Sequence, residues 1–372
     1  MKQEHYELAV ALRRELHAHP ELSHRETWTK ARLMEFLWEH TAHLELVDRG
    51  AWFYAWYRSG REGPPIAFRA DFDAIPVAED DTLPYHSQNP GVGHKCGHDG
   101  HSAALAALAM EVDEAGAGRD VYFIFQHAEE VGGGGQACAA LLEEAGIGEV
   151  YAFHSMSGYP RGAVCLRDGT MNCASRGMVL AFEGAPAHAS TPELGRSPAL
   201  ALAHLVEALD GLSARAGLRG MAMCTVVQIA AGEEAFGVAA HRGRLLLTLR
   251  AQYEQELEAL CASLEAMAGA EAARFGLGWS VEYRDVFPET ADDPACAARV
   301  RAAAGALGLE VVEMAEPMRG SEDFGWYLKR VPGAMFLLGN GEDYAPIHSA
   351  DFDFPEEHIK TACALFRALA GQ

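Results

Sequence analysis

The sequence predicts an α/β protein: a mostly parallel-sheet domain with an inserted ferredoxin-like βαββαβ lid. Two patterns and one number carry this. Apolar strand-like runs alternate with helical periods over 51–154 and again over 294–369, as in a parallel sheet covered on both faces. Between them, from about residue 176, the order becomes strand, helix, strand, strand, helix, strand, which is the split βαβ unit. The length, 372 residues, exceeds one simple core. The expected division is therefore 1–175 with 286–372 for the larger domain and 176–285 for the insert.

In chain order, Leu8, Leu12 and Leu16 recur at helical spacing over 7–17, and Pro20 stops the run. A second helix is expected over 27–38, with Leu33, Phe36 and Leu37 inward. His17 and His19 lie between the two helices. A helix C-terminus favours histidine through its dipole, so both read as structural. Strands follow at 51–57 and 65–69, the second running into Ala70-Asp71-Phe72-Asp73. Aspartates there can orient a histidine, bind metal or cap a turn. After Lys95-Cys96-Gly97-His98-Asp99-Gly100-His101, Ser102 is the expected N-cap of a helix over 103–112. A buried-type strand at 120–125 leads into Gln126-His127-Ala128-Glu129-Glu130 and the glycines 132–135. Gly132, Gly134 and Ala137 fit G-x-G-x-x-A, but two carboxylates would face the pyrophosphate, so a dinucleotide site is rejected. The strand at 150–153 ends at His154.

The insert is read as strands at 177–183, 221–231, 244–252 and 279–283 with helices at 197–212 and 254–274. Alternation then resumes: helix 294–307, strand 310–314, a helix from Ser321, strand 334–338, His348 after a loop, and helix 355–369.

A formal net charge of -23 repels phosphate backbones and argues against a nucleic-acid partner. Apolar runs such as 103–110 are too short to span a bilayer, and the start resembles no signal peptide, so no membrane partner is expected. The eight cysteines are scattered without C-x-x-C pairs, as in a reduced compartment, and the expected location is cytoplasmic.

Cys96 and His98 flank a glycine that lets the backbone turn, so thiolate and imidazole can reach one point, a ligand pair suited to zinc or a neighbouring first-row metal. Alone, the heptad is equally a polar turn. Its context favours metal: Asp71, Asp73, Glu129, Glu130, His154 and His348 follow predicted strands, and such sheets bind ligands beyond their carboxyl ends. Adjacent residues at a strand end point different ways, so one of Glu129 and Glu130 can bind metal while the other acts as base. One thiol, three imidazoles and one carboxylate exceed a single tetrahedral site, and two ions sharing ligands would explain the surplus. Zinc suits sulfur; manganese, cobalt or nickel suit the mixed donors.

Leu12-Arg13-Arg14-Glu15-Leu16-His17-Ala18-His19-Pro20-Glu21-Leu22, Arg69-Ala70-Asp71-Phe72-Asp73-Ala74, Cys96-Gly97-His98-Asp99-Gly100-His101, residues 125–130 and Gly320-Ser321-Glu322-Asp323-Phe324 together resemble the M20 metallopeptidase family. The branch they resemble is that of the N-acyl-amino-acid amidohydrolases, with hippurate hydrolase-like and auxin-conjugate hydrolase-like enzymes. The resemblance implies a two-metal domain with an inserted lid, and ligands Cys96, His98, Glu130, His154 and His348 with Glu129 as base. It implies that His188 assists at the substrate from the lid, from the partner subunit in family dimers, and that the chain is a homodimer through the lid. Asp71, Asp99, His101 and Glu322 become supporting residues, and Arg250 a candidate anion partner.

The expected reaction is hydrolysis of an N-acyl amino acid or similar small amide by metal-activated water. The alternatives are a dipeptidase or carboxypeptidase with the same centre, and a silent metal- or ligand-binding homologue. The H-x-E and P-C-x-x-C pair of zinc base deaminases and the G-x-S-x-G elbow of serine hydrolases are both absent. Two departures stand out. His127 replaces the branch's usual proline; Gly237 and Ala240 replace its usual asparagine, which is associated with substrate binding, and proline.

Overall fold

A computed structural model describes residues 1–80, 82–209, 211–212 and 217–371. The chain divides into two compact units, Met1–Met171 with Thr290–Pro317 and Glu322–Gln372, and Asn172–Glu289 with Met318–Ser321. The second unit extends a few residues beyond the expected insert, 176–285, at each end, and it also takes 318–321, which the expected division gives to the other domain.

The first unit runs α1 (Gln3–Ala18), α2 (Thr27–His40), β1 (Leu44–Asp48), β2 (Phe53–Tyr57), β3 (Ile66–Asp71), α3 (His98–Ala115), β4 (Val121–Gln126), α4 (Gly135–Glu144), β5 (Glu149–Met156), β6 (Val164–Leu166) and β7 (Gly169–Asn172). The inserted unit holds β8 (Ala174–Glu183), α5 (Ala199–Leu209), β9 (Ala222–Ala231), β10 (Arg242–Ala251), α6 (Glu254–Phe275) and β11 (Gly278–Phe287). The chain returns through β12 (Thr290–Asp292), α7 (Pro294–Ala306), β13 (Val311–Glu313), α8 (Gly325–Leu328), β14 (Gly333–Gly339) and α9 (Glu357–Leu369).

The large sheet has the order β1-β2-β4-β3-β5-β14-β6-β13. Its middle, β4-β3-β5-β14, is parallel. β2 pairs antiparallel with β4 at one end, and β6 pairs antiparallel with β14 at the other. Every residue of β3, β4 and β14 is buried, as expected for strands covered on both faces. Helix α3 is buried from His98 through Val112 and packs against α1 and α9. Its alanine-rich stretch favours helix and lets neighbours approach closely. The inserted sheet is antiparallel, β11-β8-β10-β9, and packs Leu180, Leu245 and Leu247 with Leu257 and Leu264 of α6.

Several expectations change. Ser102 is no N-cap: α3 starts five residues earlier than expected, at His98, and the Ser102 hydroxyl donates to the Asp71 carbonyl at 2.7 Å. The polar first turn faces a site rather than the core, which hides its helical period. β5 continues to Met156, so His154 lies within the strand. The helix expected from Ser321 is the short Gly325–Leu328. The helix expected over 197–212 is described from Ala199 to Leu209, and residue 210 lies outside the described residues.

Candidate metal centre

The carboxyl rim of the parallel strands collects the polar groups. Asp71 ends β3, Glu129 and Glu130 follow β4, His154 lies in β5, and His348 follows β14. Cys96 precedes α3, and His98 and His101 occupy its first turn. Gly97 has φ +98°, and a Cβ on Gly100 would fall 2.2 Å from the Phe354 ring. Glycine at these two places lets the loop turn sharply and the 348–354 segment seat against the helix.

His98 Nδ1 donates to Asp73, to its carbonyl at 3.0 Å and its carboxylate at 3.1 Å. That leaves Nε2 buried without a hydrogen-bond partner, 3.7 Å from Glu130 Oε1, which is also buried and unpartnered. Glu130 Oε1 is 3.6 Å from His348 Nε2. His154 donates from Nδ1 to the Ser155 carbonyl at 2.6 Å and presents Nε2 to Cys96 Sγ at 3.4 Å. Ligand atoms of Cys96, His98 and His154, and of Cys96, Glu130 and His348, lie within 4.8 Å of one another in each set. Neighbouring ligands of a tetrahedral ion with bonds of 2.0–2.3 Å are about 3.3–3.8 Å apart, and the Cys96–His154, His98–Glu130 and Glu130–His348 separations of 3.4, 3.7 and 3.6 Å fall in that range. Soft sulfur, imidazole and carboxylate together suit a first-row divalent ion.

The electrostatics agree. Burial opposes charge on His98, but the Asp71 and Asp73 carboxylates push it up to about 10. Burial raises the Cys96 thiol well above its usual range, with Glu130, Glu129 and Asp71 adding to it. Burial, then His101, holds His154 well below the usual imidazole range. A divalent cation would relieve the crowding of carboxylates and displace the protons of thiol and imidazole.

Residues around the rim hold the cluster. His101 donates from Nδ1 to Asp71 Oδ1 at 2.7 Å and accepts the Ser155 amide on Nε2 at 3.1 Å, so both ring nitrogens are engaged. Asp71 is also bonded by buried Arg69, at 2.6 Å. Arg69 further contacts Gln126 at 2.9 Å, Asp323 at 2.8 Å and Glu322 at 3.2 Å. Glu129 accepts the Asp323 amide at 3.3 Å. Burial, then Glu322 and Asp323, push Glu129 well above the usual carboxyl range. Burial lifts Glu322 to about 7 against Arg69, and Asp323 to about 6.

Asp99 faces a second buried network. It accepts from Arg13 Nε at 2.8 Å and His17 Nδ1 at 2.7 Å. His17 Nε2 then meets Glu79 Oε1 at 2.7 Å, and Lys95 Nζ donates to the same oxygen at 2.5 Å. His17 is thus structural, as expected. His19 bonds the Glu15 carbonyl at 3.0 Å. Arg13, Arg69, Glu79 and Lys95 were not foreseen. A charged residue inside the otherwise apolar run 66–70 of β3 was the one signal for Arg69, because a buried arginine demands acids around it. His127 is buried with Nδ1 unpartnered, but it joins none of the ligand sets found among the described residues.

His188 and Arg250 belong to the inserted unit. His188 is exposed, and its Nδ1 accepts the Ser190 amide at 3.2 Å and the Ser190 hydroxyl at 2.7 Å, leaving the ring proton on Nε2. Its loop is laced to the 237–239 segment by Ala189 N to Gly237 O at 3.0 Å and Ala239 N to Ala187 O at 2.9 Å. Arg250 Nη1 donates to the Arg319 carbonyl and the Ser321 hydroxyl, both at 2.8 Å.

Fold and site define a class: an α/β protein with a candidate metal centre at the carboxyl rim of a parallel sheet. The model of peptidase family M20/M25/M40 matches residues 67–372, and the chain belongs to that family. It is 28% identical to N-acetylcysteine deacetylase of Bacillus subtilis (strain 168) over 97% of this chain and 95% of that protein. It is 29% identical to N-acetyldiaminopimelate deacetylase of Exiguobacterium sibiricum over 95% of this chain and 96% of that protein. It also aligns, 33% identical over 96% of its length, with 46% of a longer Rhodococcus jostii (strain RHA1) protein that bears a glutamate–cysteine ligase name. Among solved structures, the YXEP protein of Bacillus subtilis, described as a dinuclear metal-binding peptidase of the M20 family, superposes with TM-score 0.82 at 26% identity, covering 99% of this chain and 98% of that one.

Proposed function

We propose that the chain hydrolyses the amide bond of N-acyl amino acids, with two divalent ions held by Cys96, His98, Glu130, His154 and His348. The observation that carries this is the buried, unpartnered pair His98 Nε2 and Glu130 Oε1, 3.7 Å apart among the other donors. Bound ions would polarise the carbonyl and acidify water. Glu129 accepts the proton of the attacking water on its carboxylate and returns it to the leaving amine, a role its raised proton affinity suits. His188 donates Nε2–H to the oxygen that becomes an oxyanion, and Arg250 pairs with the substrate carboxylate. Asp71, His101, Glu322 and, from the other side of α3, Asp99 fix these groups in place.

The donor set suits zinc or manganese, with cobalt and nickel as further candidates. A homodimer through the inserted unit is supported by β9, an edge strand on which Val227 and Ile229 are exposed. No helix among the described residues is long and apolar enough to cross a membrane. None of the eight cysteines is joined in a disulfide, which supports a cytoplasmic location.

The named relatives make N-acetylcysteine and N-acetyldiaminopimelate the first substrates to try. The test is amine release by metal-stripped protein, restored in turn with zinc, manganese, cobalt or nickel, from N-acyl amino acids, free dipeptides and amides without a carboxylate. Metal-dependent release from N-acyl amino acids is the expected result. Release from dipeptides alone would make the chain a peptidase, and fully metal-loaded protein without turnover would make it a binding homologue.

A further inference from the structure

Lys95 is almost wholly buried, 1% exposed, a rare state for a lysine. Both of its ends are used. Its carbonyl accepts the amide of His348 at 2.6 Å, and its ammonium donates to the Phe352 carbonyl at 2.8 Å and to Glu79. The two bonds grip the turn 348–352 at both extremities. Inside, that turn is closed by Phe352 N to Ser349 O at 3.2 Å.

His348 needs such a grip. Its φ is +65°, a left-handed conformation that non-glycine residues adopt only when their surroundings impose it. Its side chain is 49% exposed, so packing does not fix the imidazole and its place is set through the backbone. Lys95 is also the residue before Cys96. One residue therefore joins two members of the set Cys96, Glu130 and His348, which come from opposite ends of the chain.

We infer that Lys95 is a positioning residue that locks the His348 turn onto the Cys96 loop and so sets the affinity of one of the two metal positions. The inference rests on the proposed ligand role of His348. An apolar side chain of similar size would fill the same space and keep the backbone bond, but would release the Phe352 end of the turn.

The experiment uses the full chain with Lys95→Met. Metal-stripped protein is titrated with zinc by calorimetry, bound metal is counted by elemental analysis, and kcat and KM are measured. One ion should bind about ten- to a hundredfold more weakly, the cost typical of losing support behind a ligand, while the other binds as in the parent. kcat should fall with occupancy of the weakened position and KM should hold. Lys95→Gln, with a donor on a shorter stem, should lie between. Parent-like affinities for both ions, with only a lower melting temperature, would overturn the inference. If Lys95→Met does not fold, parent-like affinities in Lys95→Gln do the same. His348→Ala separates the two readings: if it still binds two ions with parent affinity, the ligand assignment fails. If it loses one ion and Lys95→Met does not, only the positioning role fails.

Discussion

Two buried arginines flank the start of α3, and they serve different ends. Arg13 and Arg69 are each fully buried and each bind several acids. Around Arg13 the acids are held ionised: burial opposes it, but Arg13 and His17 keep Asp99 well below the usual range, and His17 and Lys95 pull Glu79 down to about 2. Around Arg69 there are more carboxylates than one cation can satisfy. Burial leaves Glu322 near 7 and Asp323 near 6, and lifts Glu129 well above the usual carboxyl range. The first network is a permanently charged scaffold behind the ligand loop. The second is a reservoir of acids that can take up protons beside the proposed base. Burial alone does not make an ion network rigid in charge; the ratio of cations to acids decides.

The sharpest way to break this contrast is at Glu129. Glu129→Gln should lower turnover about a hundred- to ten-thousand-fold while leaving both ions bound. Parent-like rates with metal retained would remove the base from the reservoir. Next come the hubs. Arg69→Met and Arg13→Met should each destabilise by about 3–5 kcal/mol at pH 8, read by urea denaturation of metal-stripped protein, because each strands buried acids. Lowering the pH to 5 should relieve part of the first, because Glu322 and Asp323 protonate readily although Asp71 is held well below the usual range, and should not relieve the second. Equal relief would erase the distinction.

Linkage gives a finer test on the same metal-stripped protein. Glu322 has a folded value near 7, above its ordinary 4.5, so its ionisation opposes folding increasingly as pH rises between the two. Glu322→Gln should therefore raise the melting temperature at pH 8 by a few degrees and leave it unchanged near pH 4. Glu79 is the mirror case. Its value near 2 contributes stability that is complete above about 4.5 and is lost as pH falls towards 2. Glu79→Gln should melt lower at pH 7, with the gap closing in acid. The smallest effect is expected in the inserted unit. A Cβ on Gly237 meets nothing within 4 Å, so Gly237→Asn should fold as the parent does. If its amide reaches the substrate, KM for carboxylate-bearing substrates should fall about two- to tenfold and that for carboxylate-free amides should not move.

How much of this was legible beforehand varies by element. The parallel middle of the sheet was readable because β3, β4 and β14 are short, largely apolar runs, and the insert because its order is diagnostic. β1 and the three-residue strands β6 and β12 were not: β1 has no buried residue, and the other two are too short to show a period. Residues 98–102 hid the start of α3 because their side chains answer to the site rather than the core. The rim cluster was visible because topology alone brings strand ends together. The two arginine hubs were not, since their partners come from distant passages such as Glu322 and Asp353.

The placement of His348 has a temporal side. Cys96, His98, Glu130 and His154 all precede the inserted unit in the chain, and His348 follows it. During synthesis from the N-terminus, where domains form as units in order of emergence, the rim has four of its five gathered donors long before the last arrives. The insert can close its own sheet in that interval. A nascent chain that took up a cation early would hold it with part of the set, and the turn carrying His348, gripped by Lys95, would arrive as the latch. Completion of the set therefore waits on the passage that follows the inserted unit.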